Sequence, residues 1–158
     1  MQPRLDYKSV APEALKPLLQ LDAYLNHSSG LEPSLLDLVR LRASQINGCA
    51  YCIDMHSKDL RARGETEQRL YELNAWRETP FYSDRKRAAL EWTEAITLIS
   101  QNHVPDDVFK KARQYFSDPE LVNLTMVIVA INGWNRLAIS FRVVPGSYQP
   151  AVRARKTA

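Results

Sequence analysis

Apolar residues recur along this chain at three- and four-residue intervals, in runs broken by proline, glycine or serine-rich stops, and alternation at every second residue is almost missing. That period paints one side of a helix and would scatter across both faces of a strand, so it predicts an all-α protein. Pro12 opens a helix over about residues 12–26, with Leu15, Leu18, Leu19 and Leu25 on its apolar side, ahead of the breaker Ser28-Ser29-Gly30. A second helix starts near Pro33 and buries Leu35, Leu36, Val39, Ala43 and Ile46. Asn47-Gly48 stops it, because both residues tolerate left-handed backbone.

A third helix follows at once over about 49–63, with Gly64 as its stop, and Thr66 caps a shorter one ending near Trp76. Ser83 or Asp84 caps a helix to about Ser100, and Asp106 opens the next. Pro119 starts the longest helix, whose centre, Leu124 to Ile131, is apolar nearly all round and is predicted to be buried in the domain or against another subunit. No repeat or linker interrupts the pattern. It predicts one compact domain over 1–158 with six or seven helices, a core over about 10–142 and a loose tail from about residue 147.

The balance of charge excludes some partners. The net charge is +3, and part of that excess, Arg153, Arg155 and Lys156, crowds the C-terminus, while acidic and basic residues mix elsewhere. A nucleic-acid surface would need its cations on one ordered face. No apolar run resembles a signal peptide and none reaches about 18 residues, so neither export nor a membrane is expected, and the cytosol is the predicted compartment. In that reducing compartment two cysteines three apart signify redox chemistry or metal binding rather than a structural disulfide.

Those cysteines lie in Ser44-Gln45-Ile46-Asn47-Gly48-Cys49-Ala50-Tyr51-Cys52-Ile53-Asp54-Met55-His56. At i and i+3 of a helix start, Cys49 and Cys52 share a face and can join in a disulfide. The unpaired N–H groups and dipole of that start stabilise a thiolate. His56, at i+4 from Cys52, can accept the thiol proton, and a thiol beside a base is the general form of an activated nucleophile. The dipole favours Cys49 as the thiolate and the histidine favours Cys52. A carboxylate is wanted to hold the imidazole, and Asp37 is the candidate. It sits about 15 Å before the end of the second helix while His56 sits about 12 Å into the third, so the two face each other if the helices are antiparallel.

From Asp37 to His56 this segment resembles the AhpD-like alkylhydroperoxidases of the carboxymuconolactone decarboxylase superfamily. Two further stretches are similar to the same group: Phe81-Tyr82 through Arg87-Ala88-Ala89-Leu90-Glu91-Trp92-Thr93-Glu94-Ala95, and Asn123 through Asn132-Gly133-Trp134-Asn135-Arg136. The resemblance covers about residues 10 to 142. It implies an all-helical homo-oligomer, trimeric or hexameric, that reduces alkyl hydroperoxides through thiols. Cys52 would be the peroxidatic cysteine, Cys49 the resolving one and His56 the proton relay. An external dithiol of lipoyl or thioredoxin type would reduce the resulting disulfide, and no bound cofactor is required. The family carries Glu where this chain has Asp37, and the shorter side chain turns a direct contact with His56 into a water-mediated one. Some members place a histidine where this chain has Tyr51.

Other readings of the same residues stand beside this one. Cys49, Cys52, His56 and Asp37 could together hold zinc. The dithiol could instead serve disulfide exchange or a stress-response module without peroxidase activity. The superfamily's decarboxylase chemistry would leave the paired cysteines without a task, and a c-type haem would require His where Ile53 stands. Trp92, Trp134, Tyr82 and Phe81 read as core rather than pocket, Glu91 and Glu94 as solvated helix-face charges, and His27 and His103 as loop residues.

Overall fold

The computed structural model describes residues 2–150, and every regular element among them is helical. In order they are α1 (Tyr7–Val10), α2 (Pro12–Ser28), α3 (Pro33–Asn47), α4 (Ala50–Ala62), α5 (Glu67–Tyr71), a 3-10 helix (Leu73–Glu78), α6 (Asp84–Thr97), α7 (Ile99–Asn102), α8 (Asp106–Arg113) and α9 (Asp118–Phe141). The all-α single domain is as expected, but it has more pieces than six or seven. The stretch ending near Trp76 divides into α5 and the 3-10 helix, and the backbone leaves the helical region at Leu98, which separates α6 from α7. The short α1 was not anticipated.

The predicted stops do what their chemistry allows. Gly48 takes φ +69 and its N–H closes on the Ser44 and Gln45 carbonyls, so α3 ends and α4 begins two residues later. Thr66 and Ser83 cap α5 and α6 through their hydroxyls, and Ser117 with Glu120 forms a capping box at the start of α9.

Helix α3 is the centre of the molecule. Nine of its residues, from Leu35 to Ser44, are buried between α4, α6 and α9. One apolar cluster joins Leu25, Leu35, Leu36, Val39, Ala89, Trp92, Phe116, Leu124, Val127 and Ile128; a second joins Leu38, Leu41, Leu60, Leu73, Trp76, Tyr82 and Leu90. Each fully buried leucine in these clusters contributes about 1.5–3 kcal/mol over an exposed one. Among the described residues α9 is the one helix long and apolar enough to cross a membrane. Here Leu124, Val127, Ile128 and Ile131 fill the domain's core, while Val122, Val129 and Ile139 face out.

After α9 the chain turns back as a strap, residues 143–150, over α4. Lys58 Nζ donates to the carbonyls of Gly146 and Tyr148, Gly146 N–H donates to Asp54, and Tyr148 Oη donates to Asp59 at 2.7 Å. The tail expected to be loose from residue 147 is therefore held as far as Tyr148. Arg153, Arg155 and Lys156 lie outside the described residues.

Candidate active site

The tight turn at Gly48 places Cys49 as the N-cap of α4 and Cys52 in its first turn. Cys49 Sγ accepts a hydrogen bond from Cys52 N–H at 3.4 Å, as a cap sulfur should. The Cα atoms are 5.4 Å apart and the two sulfurs are joined in a disulfide. Both are hidden, at 1 and 2% exposure, and pack against Ala138 of α9 with Tyr51 and Val143 alongside. Cys52 lines a cleft of about 530 Å3 and Cys49 does not.

Cys52 shares this cleft with Tyr51, Met55, His56, Trp134 and Tyr148. His56 lies on the same side of α4, 5% exposed, and neither of its ring nitrogens has a hydrogen-bond partner among the described residues. Burial, reinforced by the Arg40 cation, pushes its pKa down to about 3, so the ring is neutral at physiological pH. A neutral imidazole with a free nitrogen can accept a proton.

The sequence arithmetic that set Asp37 opposite His56 holds: the ligating atoms of Asp37, His56 and Asp59 all lie within 4.8 Å of one another. What the arithmetic omitted is the neighbourhood. Asp37 Oδ2 accepts from Arg63 Nε at 2.5 Å and its other oxygen lies 3.6 Å from Arg40, so the carboxylate is engaged by two cations. Arg40 in turn donates to Asn26 at 2.9 Å and reaches Asp22 at 3.5 Å, and Asp22 accepts from Trp134 Nε1. The carboxylate nearest the imidazole that is not held by arginine is Asp59, whose Oδ2 is 3.9 Å from Nδ1. Burial raises the pKa of Asp59 against the hydrogen bond from Tyr148, which lowers it. Burial and the same bond raise that of Tyr148.

Of the four residues proposed for zinc, the two sulfurs are bonded to each other, and Asp37 is already compensated by guanidinium groups. The closely spaced ligand atoms among the described residues are those of Asp37, His56 and Asp59, a group that includes neither cysteine.

Several sequence readings change on inspection. His27 belongs to the last turn of α2 and lines the cleft, whereas His103 is a left-handed helix cap as a loop residue would be. Trp134 lines the cleft, Trp92 and Tyr82 are core, and Phe81 is exposed. Glu94 is no solvated charge: it gathers Arg42, Trp76 Nε1 and Arg77, tying α3 and the 3-10 helix to α6. Arg40, Asp59, Arg63 and Tyr148 were missed. Asp59 is i+3 from His56 and Arg40 is i+3 from Asp37, so helical spacing could have found both. Nothing local marks Tyr148, 89 residues from its partner.

Comparison with known proteins agrees with this architecture. The model of the carboxymuconolactone decarboxylase family matches residues 12–95. An uncharacterized protein of Bacillus subtilis, YdfG, is 44% identical over 140 residues, 89% of this chain and 95% of its own. A solved structure from Agrobacterium tumefaciens, a protein of unknown function provisionally called an antioxidant defence protein AhpD, is 45% identical and superposes with a TM-score of 0.86 over 95% of this chain and 99% of that one. An uncharacterized peroxidase-related protein of Ralstonia eutropha with an AhpD core shares the fold at 19% identity, with a TM-score of 0.77 over 89% of this chain and 74% of its own. On the family match, and on an all-helical fold that carries Cys49, Cys52 and His56 at the start of one helix, this chain is an AhpD-like member of the carboxymuconolactone decarboxylase family.

Proposed function

We propose that this protein is a thiol-dependent peroxidase that reduces alkyl hydroperoxides through a Cys49–Cys52 dithiol and disulfide cycle. One observation carries the reading: of the two paired sulfurs, the one on the cleft is four residues along α4 from a buried histidine that lines the same cleft and has no hydrogen-bond partner among the described residues. In the reduced protein His56 relays the Cys52 thiol proton as the sulfur attacks rather than holding it at rest, and the developing thiolate gains from the helix start and from the Arg40 cation on the same cleft. The sulfur attacks the terminal oxygen of the hydroperoxide and the O–O bond breaks. The alkoxide takes the proton from His56 and leaves as an alcohol, and Cys52 becomes a sulfenic acid. Cys49 thiol then displaces water from that sulfenic acid and the disulfide forms. An external dithiol reduces it, becoming a disulfide itself.

The cleft's apolar wall of Tyr51, Met55 and Trp134 suits an organic hydroperoxide. The depth of both sulfurs favours a slender donor such as a lipoyl arm over one that must dock a globular surface. The outward Val122, Val129 and Ile139 of α9 suit contact between copies of the chain, as trimer or hexamer. The cycle belongs in a reducing cytosol.

The test is stoichiometric. One equivalent of an alkyl hydroperoxide added to reduced protein should remove both thiols together and release one alcohol. Cys49→Ser should lose its one remaining thiol and stop at the sulfenic acid, and Cys52→Ser should consume peroxide no faster than buffer. Full turnover by Cys52→Ser would overturn the assignment. Thiol exchange with a small disulfide but no peroxide reduction would leave the protein a dithiol oxidoreductase.

A further inference from the structure

The hydrogen-bond partner of His56 is the unsolved part of this site. A neutral imidazole has one N–H and one bare nitrogen, and a buried ring needs an acceptor for the first before the second is fixed as a base. Among the described residues no atom bonds either nitrogen. Asp37, the residue the family pattern would nominate, has one oxygen bonded by Arg63 and the other beside Arg40. Asp59 is placed differently. It lies on α4, one turn beyond His56, and its Oδ1 accepts the Tyr148 hydroxyl while Oδ2 faces Nδ1 at 3.9 Å. A movement of about 1 Å by either side chain brings that pair to hydrogen-bond distance.

We propose that Asp59 is the carboxylate that orients the His56 ring, and that Tyr148 of the C-terminal strap holds Asp59 in place for it. The assignment rests on the reading that His56 serves Cys52, and it makes Asp59 and Tyr148 positioning residues rather than catalytic ones. With Nδ1–H given to Asp59, Nε2 is the bare nitrogen left for the Cys52 proton. The strap is itself anchored to α4 through Lys58, Asp54 and Gly146, so its tyrosine arrives at a fixed point. The charged or titratable groups around this pair are Asp37 and Arg40 from α3, Tyr51 from α4 and Arg63 at its C-cap, and Tyr148 from the strap, with Tyr7 and Lys8 of α1 and Asp22 and His27 of α2 lining the same cleft. Asp37 and the two arginines form a separate unit, and burial raises the basicity of Asp59, which strengthens it as an acceptor for the ring N–H.

Two readouts on the full-length chain test this, and neither requires peroxide turnover. The first is the nitrogen NMR signature of the His56 tautomer, separated from His27 and His103 by comparison with His56→Gln. The second is the rate at which iodoacetamide alkylates Cys52 in the reduced protein between pH 5 and 9. The parent should hold the Nδ1–H tautomer. Asp59→Asn should lose it and slow alkylation at pH 7 by about tenfold, with the midpoint moved to higher pH. Tyr148→Phe, which removes one hydroxyl and keeps the ring, should mix the tautomers and slow alkylation by about threefold. If Tyr148→Phe and Asp59→Asn keep the parent's tautomer and pH profile, the assignment is wrong. If Asp37→Asn alone changes both, the orienting role belongs to Asp37. A parent that holds the tautomer yet reduces no peroxide would sink the proposed activity and leave this inference standing.

Discussion

The two sides of the cleft are put together on different plans. The sulfur side is local: Cys49 and Cys52 belong to one helix start, and their geometry follows from the single turn at Gly48. The proton side is assembled from distant segments, with Asp37 and Arg40 on α3, His56, Asp59 and Arg63 along α4, and Tyr148 on the strap. A local site tolerates changes elsewhere in the fold, whereas an assembled one depends on charges that compensate each other under burial. Substitutions on the two sides should therefore differ in kind as well as in size.

The largest effect on stability is expected on the assembled side. Asp37→Ala leaves the buried Arg40 with Asp22 as its one remaining carboxylate and deprives Arg63 of its own. Breaking such a pair from one end costs about 3–5 kcal/mol, because the remaining charge stays desolvated. The midpoint of urea denaturation should fall accordingly with an unchanged slope. A loss below about 1 kcal/mol would mean that these charges are effectively hydrated, as at a surface, and the contrast between the two sides would disappear.

A somewhat smaller, pH-dependent effect belongs to His56. Its folded pKa of about 3 lies below the ordinary value near 6.5. Between those two values the unfolded chain binds the proton and the folded one does not, so stability rises with pH through this window and is lost as pH falls through it. The slope from this one group approaches about 1.4 kcal/mol per pH unit. Asp59, whose pKa is raised, works in the opposite sense just above the usual carboxylate range, which blunts the acid side of the window. Thermal melts of the parent from pH 7 to 4 should fall more steeply than those of His56→Gln. Parallel curves would show that the ring is solvated or already paired.

The same contrast decides what could be read before the structure. Helix periods, caps and the i, i+3, i+4 arrangement of Cys49, Cys52 and His56 are local properties, so the spacing alone carried them. The facing of Asp37 and His56 was also recoverable, because rise per residue and one tight turn determine it. The arginines that claim Asp37 were not, since no pattern in the chain says which of several cations will fold inward. Tyr148 was read as loose tail because a short polar segment after the last helix has no period to reveal that Lys58 and Asp54 will hold it. The breaks at Glu72 and Leu98 carry no glycine or proline to announce them, and packing sets those breaks.

The smallest effect tests the local side at its one required residue. Gly48 adopts φ +69, and a Cβ built there meets nothing within 4 Å. Gly48→Ala thus adds no clash and isolates the backbone penalty of a left-handed residue, about 1 kcal/mol. Gly48→Asn, which tolerates that region better, should cost less. Because Cys49 and Cys52 both belong to the start of α4, and α4 is also held to α3 by the Asp37–Arg63 pair, both variants should still form the Cys49–Cys52 disulfide, with a mild loss measured by denaturation. If Gly48→Ala instead prevents the disulfide or costs as much as Asp37→Ala, the sulfurs depend on a wider set of contacts. Those would include the half-buried Asn47 amide, which donates to the buried Asn135 Oδ1 at 2.9 Å and pins the end of α3 to α9. The sulfur side would then be as assembled as the proton side.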